Sequence, residues 1–170
     1  AGTLDPLATG LLIICTGRMT KQIDTFQAQE KVYTGTMLLG QTTPTFDMES
    51  EADATFPTDG ITVKMMEEAR KTFIGDIMQR PPKFSAIKIN GKRAFDYARS
   101  DEEIALKERL VHIEEFKLDY SNFPKVDFEV KCSKGTYIRS LVNDFGKKLD
   151  NGACLISLRR TKIGDFSVDD

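Results

Sequence analysis

An α+β fold, with a mixed and mostly antiparallel sheet flanked by helices and loops, is what this sequence predicts, on three observations. Val126, Phe128, Val130 and Cys132 alternate strictly with polar residues, the period of a strand buried on one face. Ile138, Leu141, Val142, Phe145 and Leu149 recur at helical spacing. Strand-like and helix-like segments succeed one another without regular βαβ alternation, which argues against an all-parallel sheet.

In chain order, the continuous apolar run over residues 10–15 predicts a strand buried on both faces. Met19, Ile23 and Phe26 then fall at helical spacing, and residues 31–39, rich in Val, Thr and Tyr, predict a strand closed by Gly40. Residues 42–60 combine Pro, Thr and acids and predict a long loop. Met65 or Met66 with Ala69 and Phe73 marks an amphipathic helix, with Thr62 as N-cap and Gly75 as stop. Pro81-Pro82 forbids helix, residues 86–89 predict a short strand ahead of a tight turn at Asn90-Gly91, and residues 93–106 predict a helix. Val111, Ile113, Phe116, Leu118 and Tyr120 predict a strand whose register slips at Glu114-Glu115, the pattern of a bulge. After the helix from Ile138, Gly152 is placed to cap its end, and residues 153–158 and 161–166 predict a final strand or pair.

The chain has 170 residues, 40% of them apolar and 29% charged, which predicts one compact domain over residues 1–170. Its longest uninterrupted apolar run, residues 11–15, is far short of the ~20 residues a membrane helix needs. With no signal peptide visible, the expectation is a cytoplasmic protein without membrane contact. Cys15, Cys132 and Cys154 are far apart, odd in number and without a Cys-x-x-Cys pair, so they read as reduced core residues. The single His112 has no second His to act with, and a metal site needs three or four clustered ligands. Any catalysis therefore falls to carboxylates, Tyr, Lys and Arg.

The net charge of −2 hides local asymmetry. Residues 79–99 carry six basic residues against Asp96, and residues 131–162 carry eight against Asp144 and Asp150, while the acids gather elsewhere. Two basic segments on a slightly acidic chain fit a polyanion-binding face, although charge clusters are more often plain solvated surface.

The most informative stretch is Gly2-Thr3-Leu4-Asp5-Pro6-Leu7-Ala8-Thr9-Gly10, a loop in which proline restricts both itself and the Asp before it. It resembles the catalytic-loop signature of the TruB family of tRNA pseudouridine synthases. Four further blocks resemble that family in the same order. They are Lys31-Val32-Tyr33 with Leu39-Gly40, Thr43, Thr45 and Asp47; Arg80-Pro81-Pro82-Lys83-Phe84-Ser85-Ala86-Ile87-Lys88 with Gly91-Lys92-Arg93-Ala94; Cys132-Ser133-Lys134-Gly135-Thr136-Tyr137-Ile138-Arg139-Ser140-Leu141; and Leu158-Arg159-Arg160-Thr161.

The resemblance implies the pseudouridine synthase catalytic fold and isomerisation of uridine to pseudouridine at position 55 in the TΨC loop of tRNA. In that reaction uracil leaves its sugar, turns and rejoins through C5 instead of N1. A carboxylate serves as nucleophile at sugar or base, or promotes elimination, and no metal or His is needed to charge it. The resemblance makes Asp5 the catalytic carboxylate, Arg139 its bidentate partner, and Tyr33 a stacking face whose phenol takes the C5 proton. Tyr137 packs in the same pocket, Lys21 supports the loop and Leu158 contacts the base. Reaching a base inside a folded loop requires flipping it out, with phosphates gripped to hold the arm. Lys83, Lys88, Lys92 and Arg93, and separately Arg159, Arg160 and Lys162, are the phosphate candidates. No cofactor is implied, nor an obligate protein partner. Leu7-Ala8 fits the bacterial stand-alone class better than the guide-RNA-dependent class.

The chain departs from the family pattern in beginning immediately after the expected His and in ending without the C-terminal RNA-binding domain that many members carry. Lacking the family's first ~40 residues leaves an unpaired sheet edge, so the expectation is a truncated chain whose Asp5 loop is poorly anchored. Two other readings share parts of the pattern. A non-catalytic module gripping the TΨC arm keeps every phosphate argument and loses only the Asp5 chemistry. A two-carboxylate glycosidase is disfavoured because Asp5 has no carboxylate partner in the matched blocks.

Overall fold

The computed structural model describes residues 2–83 and 107–170, together with the backbone of residues 88–89 and 92–93. The strands are β1 (Thr9–Gly10), β2 (Lys31–Leu39), β3 (Gln41–Thr42), β4 (Ala54–Thr55), β5 (Gly75–Gln79), β6 (Lys88–Ile89), β7 (Lys92–Arg93), β8 (Arg109–Asp119), β9 (Lys125–Cys132), β10 (Ala153–Ile163) and β11 (Phe166–Ser167). The helices are α1 (Ile23–Gln27), preceded by a 3-10 turn over Gly17–Gln22, α2 (Val63–Thr72) and α3 (Ile138–Lys148).

Seven strands form one sheet in the order β1-β10-β2-β9-β8-β5, with β11 on β10. Among the described residues the β1–β10 pair is the only parallel pair of strands, so the α+β expectation with a mostly antiparallel sheet holds. The alternation on β9 explains why the sheet has one wet and one dry face: Val126, Phe128, Val130 and Cys132 are buried, while Lys125, Asp127 and Glu129 are exposed. The dry face meets α3, which buries Ile138, Leu141, Val142 and Phe145, and α2, which buries Met66 and Ala69. Rings lock the layers together, with Phe116 edge-on to Phe128 and Phe145 at centroid distances of 6.4 and 6.0 Å.

Several elements fall where periodicity puts them. β2 ends at Leu39 before Gly40, and β8 shifts register between Ile113 and Glu115. Thr62 caps α2, its hydroxyl accepting from the Met65 N–H at 3.1 Å. We expect Thr62→Ala to cost about 1 kcal/mol, read as a lower urea midpoint at unchanged slope.

Others differ. Of the run over residues 10–15 only Gly10 is strand, as the second residue of β1. Gly10 (φ +108°) passes so close to β10 that a Cβ there would lie 2.2 Å from the Arg160 carbonyl oxygen. After one more bond, Leu11 N–H to that oxygen at 2.8 Å, the chain leaves the sheet. Among the described residues no strand lies beyond β1, so Leu12 and Ile14 are 48% and 79% exposed instead of buried. Gly152 does not cap α3. Asp150 takes the left-handed conformation (φ +51°), and Gly152 instead allows close packing, since a Cβ would meet Thr42 Cγ2 at 2.7 Å. The last segment is one 11-residue strand with two irregularities, followed by the short β11. β5 had no sequence signal. β6 and β7 pair as expected of a hairpin, so Arg93 is strand and not the start of the helix expected over residues 93–106; the turn at residues 90–91 and the rest of that expected helix lie outside the described residues.

No helix among the described residues is long and apolar enough to cross a membrane. Cys132 and Cys154 are buried and Cys15 half-buried, all three as free thiols. Burial pushes the Cys132 thiol from 9.0 up to about 12. Above pH 9 an unfolded thiol ionises while the folded one does not, so stability falls as pH rises from 9 toward 12. A Cys132→Val chain should lose stability less steeply between about pH 8 and 10.5. Equal pH slopes for the two chains in urea unfolding would contradict this.

Candidate active site

The Asp5 loop begins with a tight turn, Ala8 N–H to Asp5 C=O at 2.9 Å, which projects the Asp5 side chain toward the start of α3. There Arg139 meets it as a fork. Arg139 Nε donates to Oδ2 at 2.9 Å and Nη2 to Oδ1 at 3.2 Å. The Arg139 side chain is 4% exposed and that of Asp5 29%, so the cation is sealed behind a carboxylate that remains accessible. Arg139 is itself aimed by a third bond, Nη1 to the Thr45 carbonyl at 3.2 Å.

The loop carrying Thr45 is ordered around the buried Asp47. Asp47 Oδ1 accepts the Thr45 hydroxyl at 2.6 Å and the Glu49 N–H at 3.0 Å, and its carbonyl accepts the Thr43 hydroxyl at 2.6 Å. Asp5, Arg139, Thr45 and Asp47 thus form one hydrogen-bonded chain through the interior. Sequence reading placed Asp47 in a matched block and gave it no role.

Arg160 fixes the other side of the Asp5 loop. It is 1% exposed and donates through Nη2 to Gly2 C=O and through Nε to Leu11 C=O, both at 3.0 Å, spanning the loop from end to end. Two buried arginines therefore hold the loop, a source of anchoring the sequence reading did not foresee. The same bonds correct the reading of Arg160 as a phosphate contact: its guanidinium is engaged inside the protein.

Asp5 opens onto a cavity of about 630 Å³, whose lining includes Leu4, Tyr33, Tyr137, Leu158 and Arg160. The β2–β10 register sets Tyr33 opposite Arg160 and Gly35 opposite Leu158, placing the ring, the guanidinium and the apolar side chain along one wall. Burial raises the Tyr33 phenol above its ordinary value, with the Arg160 side chain pulling the other way. The neutral phenol is thereby favoured, suiting Tyr33 to stacking and donating rather than to resting as a base. Lys31 lies two residues earlier on the same face, buried, with Nζ donating to the Gln27 carbonyl. Burial and then Arg160 lower its pKa.

Tyr137 caps α3 in extended conformation and is clamped by a residue that sequence reading missed. The buried Gln79 side chain accepts from Tyr137 N–H at 2.7 Å and donates to Tyr137 C=O at 3.0 Å. Gln79 ends β5, a strand without a sequence signal, so nothing in the sequence pointed to this clamp.

The remaining candidates lie apart from this cavity. Lys21 is exposed on the 3-10 turn and is not among the residues lining this cavity. Arg159 is exposed, with Nη1 on the Thr9 hydroxyl at 3.3 Å, and Lys162 is exposed beside Glu129 and Lys131 on the wet face. The alternation of β10 thus divides the second basic segment between the two faces of the sheet. Lys83 is exposed after Pro82. The side chains of Lys88, Lys92 and Arg93 lie outside the described residues. Nor do the described residues hold any group of three or more His, Cys, Asp or Glu placed to bind a metal.

Residues 1–138 match the family described as TruB family pseudouridylate synthase (N terminal domain). The chain is 54% identical over 169 residues to tRNA pseudouridine synthase B of Parabacteroides distasonis, covering 99% of this chain and 72% of that protein. It is equally 54% identical over 168 residues to the protein of the same name in Flavobacterium johnsoniae, covering 99% and 73%. Among solved structures it resembles a chain of a Cbf5-Nop10-Gar1 complex, with a TM-score of 0.70 and 27% identity over 98% of this chain. A chain of an H/ACA RNP bound to a substrate RNA containing 2'-deoxyuridine has the same fold, at a TM-score of 0.67 and 23% identity. This chain spans 40% and 38% of the length of those two.

Proposed function

The chain belongs to the TruB family of pseudouridylate synthases, and from that premise we propose that its Asp5 cavity takes a uridine flipped out of a folded tRNA and returns it as pseudouridine. The observation that carries this reading is the Asp5 carboxylate, gripped from behind by Arg139 and open toward a cavity with an aromatic wall.

In the reaction the N1–C1′ bond breaks, a C5–C1′ bond forms, C5 loses its proton and N1 gains one. The nucleoside is isomerised without oxidation or hydrolysis. A carboxylate presented in this way can attack the sugar, attack the base or draw off a sugar proton, and every route requires it charged and held within bonding distance. The Arg139 fork serves both needs. Tyr33 supplies a face for the extruded uracil and a neutral hydroxyl for hydrogen bonding, and Leu158 closes the apolar side. Flipping costs a few kcal/mol of stacking, which contacts to the rest of the RNA repay.

The relatives named tRNA pseudouridine synthase B support tRNA as the substrate, and the uridine at position 55 in the TΨC loop is the target we assign, in the cytoplasm where tRNA works. Tritium release from tRNA labelled at uridine C5 tests the whole reading. We expect release of one label per tRNA, and none when the only labelled uridine lies outside the TΨC loop. A chain that binds the tRNA and releases no label is a binding module instead of an enzyme.

A further inference from the structure

Among the described residues four cations line the Asp5 cavity, and they divide into two kinds. Lys31 and Arg160 are buried and already donate to the carbonyls of Gln27, Gly2 and Leu11. Arg109 and Lys134 are exposed lining residues, and among the described residues neither side chain has a hydrogen bond or an ion-pair partner. On the far face of the sheet Lys117 pairs with Glu115, and Lys131 with Glu30 and Glu114, while Lys162 is exposed there without an ion pair among the described residues.

Both cations stand on fixed backbone. Arg109 opens β8 in register with Gln79, the residue that clamps Tyr137. Lys134 sits in the turn between β9 and α3, where Gly135 adopts φ +78°. That turn is stitched to β8 twice, by Ser133 N–H to His112 C=O and by His112 N–H to Ser133 Oγ, both at 2.9 Å. Thr136 Oγ1 closes it onto Ser133 C=O at 2.8 Å. Lys134 is also near enough to Lys31 to help depress the latter's pKa.

A nucleotide that inserts its base and sugar beside Asp5 leaves a phosphate on each side of it at the cavity mouth. We propose that Arg109 and Lys134 form a two-cation clamp on the phosphates flanking the nucleotide that enters the Asp5 cavity. The proposal rests on the reading of that cavity as a nucleotide site. The buried cations are poorly placed for this role, Lys31 being 6% and Arg160 1% exposed, and each already donates to backbone carbonyls. A rigid turn and a strand end lower the ordering cost of the contact.

The test is the salt dependence of binding to an unmodified tRNA transcript, for Arg109→Gln, Lys134→Gln and the double variant. Each cation that leaves a phosphate lowers the slope of log K against log salt by about 0.7–1, so the double variant should lose roughly 1.5–2. KM in tritium release should rise several-fold for each, with kcat at saturation within about twofold, and Lys134→Arg should restore the slope. Lys117→Gln, on the far face, should leave the slope unchanged. An unchanged slope in the double variant, or an equal loss from Lys117→Gln, would overturn the clamp. Wild-type chain that binds with the full slope and releases no tritium would overturn the proposed catalysis and leave the clamp standing.

Discussion

Asp5→Asn should lower pseudouridine formation by about 10⁴-fold or more, while tRNA binding stays within a few-fold of wild type. Removing the attacking group of an enzyme typically costs 10⁴–10⁶ in turnover, roughly 5.5–8 kcal/mol of transition-state stabilisation. Asn matches Asp in shape, so the cavity and its aromatic wall persist, but the amide is neither charged nor nucleophilic. It also turns an NH₂ group toward one arm of the Arg139 fork, where two carboxylate oxygens now accept at 2.9 and 3.2 Å. One donor of a buried guanidinium then loses its acceptor, which should cost about 1–3 kcal/mol of stability. Single-turnover tritium release, filter binding and urea unfolding separate the three effects. Turnover within tenfold of wild type would remove Asp5 from the chemistry.

What could be read in the sequence follows from where its patterns persist. β9 and α3 each carry four apolar residues at unbroken period, with Leu149 continuing the α3 pattern at its C-cap, and both appear where the pattern lies. The bulge in β8 was legible because Glu114-Glu115 interrupts an otherwise regular alternation. Residues 10–15 were misread because an apolar run has no period to say which faces are covered, and that information resides in the neighbouring strands. β5 stayed invisible because Gly75 and Pro81 bracket only a few residues and its deepest side chain is Gln79, polar and pointing inward.

The site divides in the same way. The Asp5–Arg139 pairing came from the resemblance, across 134 residues of sequence that no local rule connects. Arg159 and Arg160 looked like one basic unit because they are adjacent, yet a strand sends adjacent residues to opposite faces, one to solvent and one beneath the catalytic loop. Gln79 and Arg160, and Lys31 beside them, act mainly on backbone groups, and a sequence does not reveal which carbonyl a side chain will find.

Arg139→Met and Arg139→Lys should both impair catalysis, by about 10²–10³-fold, for reasons that stability measurements can tell apart. A misplacement near 1 Å is enough to cost roughly 10² in rate. Lys keeps the charge but cannot hold both oxygens of Asp5 and the Thr45 carbonyl in one plane, as the guanidinium does. Met fills similar volume and leaves Asp5 without a partner. Because the Asp5 side chain is 29% exposed, water can solvate the abandoned carboxylate, whereas the Arg139 side chain at 4% has no such recourse. The two halves of the ion pair are therefore unequal. Asp5→Ala should destabilise by about 3–5 kcal/mol, and Arg139→Met by only about 1–2. In activity the order reverses in kind: Arg139 works through Asp5, so Asp5→Asn combined with Arg139→Met should be no slower than Asp5→Asn alone. Multiplying rate losses in the double variant would mean that Arg139 acts on the substrate directly, and equal stabilities for the two single variants would mean that the pair is wetter than its geometry indicates.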